Sequence, residues 1–262
     1  MPTTNAVLLP KVFPKDLISL GQLIRNPLIP NVDTYTKCCA HVTDDDTTDP
    51  NPEEPYKTIV STDTRGRFNI ALTKYLGFKA NAQSTNLLSI EAQKLEYRAL
   101  KNASDVFKRI CKDPDVKSWI GEMARYKAPC YFVIGIQVLH DAEFTRAILR
   151  GGGGGGYVTV PLEATAQIPL HIEGELGADS FGSGSGKVNG VFGIEVQRLD
   201  FHTSSPQEPA LKSDVSWHWS YQRVKGTQQE EDKILTIKLK DVEENELSQL
   251  IKQYDKDDDE EE

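Results

Sequence analysis

Long hydrophobic runs are missing from this chain. No segment approaches the roughly 20 consecutive apolar residues that a membrane-spanning helix needs. The opening residues, MPTTNAVLLPKVFPKD, hold too short an apolar stretch and too many prolines for a secretory signal. A cytoplasmic inactive form is therefore expected. Membranes are not excluded, because a β-barrel wall needs only alternating strands of about 9–11 residues. Cysteine is scarce, with 4 in 262 residues. Cys38, Cys39, Cys111 and Cys130 show no CxxC spacing and no histidine cluster, so no metal is expected. In a reducing compartment they read as free thiols; the alternative is a redox switch at the adjacent Cys38–Cys39 pair.

Catalytic signatures are equally absent. There is no HExxH, no GxSxG elbow and no Cys/His dyad with a local signature. The glycine-rich GSGSGK has Phe181 where a phosphate loop needs its first glycine and Val188 where it needs a hydroxyl. Without these the backbone amides cannot curl around a phosphate and nothing holds magnesium. His41, His140, His171, His202 and His218 are dispersed, and His140, at the end of an apolar run, reads as a hydrogen-bonded structural residue. Neither an enzyme nor a cofactor is expected.

The net charge of −9 belongs to one end. Residues 241–262 carry eleven acids and two bases, while residues 1–240 carry 28 of each sign. The neutral body can present local basic patches to an anionic partner. It also argues against nucleic acid as a partner, although Trp217, Trp219 and Tyr221 alternate onto one face in a way that stacking on bases would use.

Patterning gives a strand-rich chain with a helical centre. Leu17–Ile24 is a helix turn or a strand, ended by Pro27 and Pro30. Residues 43–56, acidic and proline-rich, predict a solvated loop. Residues 67–98 alternate as two strands about a turn, with a phase shift near Leu95 that predicts a bulge. Ser104 is the expected N-cap of a first helix, and Asp113 that of a second beginning at Pro114. Val116, Trp119, Ile120 and Met123 share a helical face and read as core. Residues 130–140, apolar in both phases, predict a central strand buried on both sides. Residues 142–150 and 157–174 form a second extended pair around six glycines at 151–156, which read as a flexible connector. Asn189-Gly190 signals a turn before a strand at 191–201, and two further strands fall at 215–225 and 233–241. A short helix at 242–254 precedes the acidic run. The expected fold is one α+β domain, 1–240, built on a twisted, mostly antiparallel sheet with flanking helices, followed by a C-terminal appendage, 241–262.

The stretches TNLLSIEAQKLEYRAL, WIGEMARYKAPCYFVIGIQVLHDAEFT, IPLHIEGELG and VNGVFGIEVQRLDF, with LISLGQLIRNPLIPNVDTYT near the front, follow an order that resembles the pore-forming domain of gasdermins. The likeness spans roughly residues 7–225 and is greatest to the small fungal cell-death members that act in self/non-self recognition. It implies a protein that binds acidic phospholipids, oligomerises, and refolds two extensions into transmembrane β-hairpins. Here these would be residues 68–98, with Phe68, Ile70, Leu72, Leu88 and Ile90, and residues 142–174, with Val158, Val160 and Leu162. Lys11, Lys15 and Arg25 match the family's basic first element, and Lys108, Arg109 and Lys112 are further candidate lipid contacts. The resemblance implies a homo-oligomer in the membrane, with a variant chain as a possible hetero-partner. Animal gasdermins carry a large C-terminal inhibitory domain, for which only about the last twenty residues could serve here; the −9 charge of residues 241–262 beside a neutral body with basic clusters suggests that they restrain the body by charge, the alternative being a solubilising tail. The alternative function is a lipid- or protein-binding module that does not insert.

Overall fold

The computed structural model describes residues 6–61, 72–73, 87–149, 157–160, 187–204, 215–221 and 231–260. In chain order the strands are β1 (Ala6–Phe13), β2 (Leu23–Ile24), β3 (Asn51–Glu53), β4 (Tyr56–Ser61), β5 (Leu72–Thr73), β6 (Leu87–Ala92), β7 (Lys94–Ala99), β8 (Tyr131–Leu149), β9 (Tyr157–Val160), β10 (Val188–Ser204), β11 (Val215–Tyr221) and β12 (Glu231–Asp241). Helices α1 (Ala103–Ile110) and α2 (Pro114–Tyr126) lie between β7 and β8, and α3 (Glu244–Glu260) follows β12. The strands join one sheet whose main path runs β11-β12-β10-β8-β6-β4. Every pairing among the described residues is antiparallel. The α+β expectation therefore holds, with a large antiparallel sheet and few helices.

β8 is the axis of the molecule. Its alternate residues serve opposite sides of the sheet: Phe132 and Ile134 enter one apolar cluster, Tyr131 and Val133 another. This is why both phases of its sequence are apolar. On the first side, Val106, Phe107 and Ile110 of α1 and Val116, Ile120 and Met123 of α2 pack on Phe132, Leu199, Leu235 and Ile237. On the second, β1 contributes Val7, Leu9 and Phe13, and the start of the C-terminal segment contributes Val242 and Leu247. A third cluster, with Leu8, Val12, Ile90, Leu139, Ala142, Phe144 and Phe192, lies further along the sheet.

Local chemistry explains the helix ends. Asp113 caps α2 by accepting from the Asp115 amide at 2.8 Å, with Pro114 in the first turn, as expected. For α1 the expected cap is corrected. Asn102, not Ser104, accepts from the Asp105 amide at 3.2 Å, and Ser104 lies inside the helix. Either side chain is suited to this position; the chain enters the helix two residues earlier.

Three further expectations change. The 43–56 segment is not one featureless loop. It forms a 3-10 turn at Asp44–Asp46, closed by the Asp46 carboxylate, which accepts from the amide and hydroxyl of Thr43, each at 2.7 Å, and then β3 and the start of β4, which pair with β7 and β6. Asn189-Gly190 is not a hairpin turn but lies within β10, at a register irregularity against β8. A Cβ on Gly190 would collide with the Phe13 carbonyl oxygen, so glycine here permits β1 to pass close by. The C-terminal helix runs on into the acidic tail as far as Glu260. Leu17–Ile24 resolves into turns followed by the two-residue strand β2, which pairs with Phe132 and Tyr131.

Candidate functional site

β8 belongs to two neighbourhoods. From Tyr131 to Ala142 it pairs with β10 on one side, and on the other with β2 at Tyr131 and Phe132 and with β7 from Gly135 to His140, inside the body. From Glu143 to Ala147 it pairs with β6, and from Arg146 to Leu149 with β9. β6 pairs in turn with β4, from Tyr56↔Ala92 to Ser61↔Leu87. β4, β6, the outer half of β8 and β9 thus form a four-stranded antiparallel ribbon continuous with the central strand.

The ribbon has two chemically distinct faces. Tyr56, Ile90, Ala92 and Phe144 are buried on one, in the third cluster. Lys57, Glu91 and Glu143 are exposed on the other. The register sets Lys57 opposite Glu91 and Glu91 opposite Glu143, and Lys57 Nζ lies 2.8 Å from Glu91 Oε2. With a period of two, Ile90 and Phe144 fall on one side and Lys57, Glu91 and Glu143 on the other, while the same register sets Arg146 in phase with Phe144.

The sequence-predicted hairpin residues fall as follows. Ile90 is fully buried and sits between Thr58 and Phe144. Leu88 pairs with Val60 and Arg146, Val158 with Ile148, and Val160 with Arg146. Leu72 pairs with Val7 of β1. Among the described residues, the partner of the 87–92 arm within the first extension is thus 56–61, upstream of the expected 68–98 span. Phe68, Ile70, Leu162 and the 151–156 glycines lie outside the described residues.

The candidate lipid-contact cations are spread over two regions. Lys11, in β1, stands 5.3 Å from the centre of the Phe13 ring. Lys15 is exposed just after β1, with Nζ 3.2 Å from His140 Nδ1. Arg25 pairs with Asp33 at 2.9 Å. On α1, Lys108 is 3.9 Å from Asp105, and Lys112 is exposed in the turn that follows. Arg109 donates to the His41 carbonyl at 3.0 and 3.2 Å and forms an ion pair with Asp46. The Arg109 guanidinium, then the Thr43 donors, hold the Asp46 carboxyl well below the usual carboxylate range. Arg109 therefore also ties α1 to the acidic segment.

Sequence reasoning missed the company that Lys15 keeps. Lys94 and Glu96, at the start of β7, are 3.0 Å apart, and Glu96 lies 3.3 Å from His140 Nε2. No local motif links residues 15, 94, 96 and 140; only the pairing Lys94↔His140 brings the last three together. His140 is the hydrogen-bonded residue that its position suggested.

The C-terminal helix is held by contacts that charge alone did not anticipate. Val242, Leu247, Leu250 and Ile251 join the second apolar cluster. Glu246 accepts from the Tyr131 hydroxyl at 2.8 Å and pairs with Arg198 at 3.2 Å. Beside it a cavity of about 500 Å³ opens between α3, the end of α2 and β10.

The four cysteines are free thiols in the first cluster. Cys38 Sγ donates towards the Gly21 and Tyr35 carbonyls, each at 3.0 Å. Its hydrogen bond with Cys39, then burial, pushes the Cys38 thiol up, and the same bond lowers Cys39. Among the described residues no three His, Cys, Asp or Glu side chains gather as a metal site, and no helix is long and apolar enough to cross a membrane. No protein-family model matches the chain, and neither does any curated protein.

Proposed function

We propose that this chain is a gasdermin-type pore-forming protein. It docks on acidic phospholipid through Lys11, Lys15 and Arg25, with Lys108, Arg109 and Lys112 as a second group. It then assembles with copies of itself, or with a variant chain, and inserts β-strands that permeabilise the membrane and kill the cell.

The observation that supports this reading is the amphipathic ribbon. A membrane strand must have its backbone groups paired by neighbours and must carry one lipid face and one wet face. The ribbon already has both properties: its strands are paired in register, and Ile90 and Phe144 lie on the face opposite Glu91 and Glu143. Insertion would exchange the third cluster for lipid as the apolar partner of that face, while the charges keep water. The two extensions are adjacent, since β6 of the first pairs with β8 of the second, so they can move as one unit. Docking needs only a few cations, each contributing about 1 kcal/mol near an anionic surface.

Release of a trapped dye from liposomes tests the proposal. Vesicles containing phosphatidylserine or cardiolipin should leak, and purely phosphatidylcholine vesicles should not. Co-flotation with anionic vesicles without release would replace pore formation by a non-inserting lipid-binding role.

A further inference from the structure

The boundary between body and ribbon is marked on every strand that crosses it. Gln93 separates β6 from β7, and its amide donates to the His140 carbonyl at 3.0 Å. In β8, Asp141 takes a left-handed φ of 49°. Opposite, β10 shifts register between Val188 and Gly190. The Asn189 side chain closes the gap, accepting from the Asp141 amide at 3.2 Å and donating to its carboxylate at 3.3 Å. Irregularities on neighbouring strands at one level give a line about which a sheet can bend. The end of β1 lies across this line, because Phe13 rests on Gly190 and Lys15 reaches His140.

We propose that this line is a hinge and that His140 with Lys15 is its proton-operated latch. The inference rests on the pore-forming reading for the purpose of the motion, not for its mechanism. In the latched state His140 is neutral and its Nδ1 accepts from the Lys15 ammonium, so the ring proton sits on Nε2. That nitrogen is buried and makes no hydrogen bond, although Glu96 Oε2 is 3.3 Å away. The charged groups facing the ring are Lys15 beyond β1 and Lys94 and Glu96 on β7; β10 presents the uncharged Asn189. A proton added to Nδ1 removes the acceptor and sets imidazolium against ammonium. Lys15 must leave, which removes its tie between the segment after β1 and β8 and frees a cation for an anionic surface. Glu96 remains to neutralise His140 and Lys94.

The sign of the effect follows from the surroundings. Burial, then the charges of Lys15 and Lys94, hold the His140 pKa below its ordinary value, against the opposing pull of Glu96. A depressed histidine stabilises the closed form above the pKa of a free imidazole, and that contribution is lost as pH falls through the closed-state value. Acid opens the latch.

The test is made in solution without lipid. Amide exchange, corrected for intrinsic rates, is followed at residues 143–149 between about pH 7.5 and about pH 5.5, an interval that brackets an ordinary imidazole. Wild-type protection should fall severalfold on acidification. His140→Gln keeps a neutral acceptor that cannot take the proton, and its protection should stay flat. Lys15→Met should show the reduced protection already at the higher pH. Circular dichroism at the higher pH establishes that each variant is folded, and His140→Asn serves in place of a glutamine variant that is not. A flat wild-type profile, or the same acid response in wild type and His140→Gln, overturns the latch. Leakage is then measured separately: acid opening with no leakage at any pH keeps the hinge and rejects the pore, and leakage without acid opening does the reverse.

Discussion

Asp46 shows how much one side chain of a supposedly solvated stretch can hold. It closes its own turn through Thr43 and reaches α1 through Arg109. Its depressed pKa means that the carboxylate contributes stability above the ordinary value of about 3.9 and loses it as pH falls. Asp46→Asn should therefore lower the thermal midpoint at neutral pH, and the gap from wild type should close on acidification. A gap independent of pH would mean that the carboxylate charge is not what matters. Among the thiols, Cys39 is half-buried and lowered by its neighbour, while burial pushes Cys111 up to about 12. Cys39 should be the first to react with a disulfide reagent, read by mass spectrometry of the labelled peptide. What could be foreseen at this scale was local. Asp113 next to Pro114 is a cap written within three residues, and it holds. Lys15 and His140 are 125 positions apart, and nothing near either one names the other.

At the level of elements, the strongest pattern was the most dependable. Residues 130–140 had to be buried on both faces, and β8 is. What periodicity could not supply was its length: β8 continues through His140 to Leu149, so the first arm of the expected second extension, from residue 142, is the outer part of the same strand. The Asn189-Gly190 signal misled because glycine was required for a close backbone approach instead of a turn, and only the position of Phe13 reveals that. Pairing order was hidden for a similar reason. Alternation marks a strand but does not choose its neighbour, and β6 pairs with 56–61, upstream of the 67–98 span that alternation marked. Phe132 meets Phe107 edge-on at 5.2 Å between ring centres; Phe132→Ala should cost about 3–5 kcal/mol in urea unfolding. Asn102→Ala, which removes the α1 cap together with the Asn102 Nδ2 bond to the Asp105 carboxylate, should cost about 1 kcal/mol, whereas Ser104→Ala should cost far less.

For the molecule as a whole, the start of the acidic tail is docked on the body. Val242, just before α3, and Leu247, Leu250 and Ile251 within it make the apolar contacts, beside Glu246. A restraint by residues 241–262, as proposed, would rest on burial as well as on charge, and burial is not screened by salt. Truncation after Tyr254 should leave the thermal midpoint nearly unchanged. Truncation after Lys240 should lower it and increase dye release from anionic vesicles across a range of salt; equal release from both truncations would assign the tail a purely solubilising role. The body and its sheet were foreseeable from composition and alternation. The seat of the tail was not, because its −9 charge overshadowed four apolar residues at 242, 247, 250 and 251.

The sheet also has ends. Among the described residues β4 pairs only with β6, and β9 only with β8, so within them these two strands form the ribbon's rims. Where the β4 rim of one copy meets the β9 rim of the next, the contact is head to tail. A head-to-tail contact repeats the same rotation at every addition, and whether the series shuts into a circle or winds on as a filament depends on that angle alone. Lys57 on one rim, and the proline that precedes β4, are the kind of guards that keep such rims apart in water.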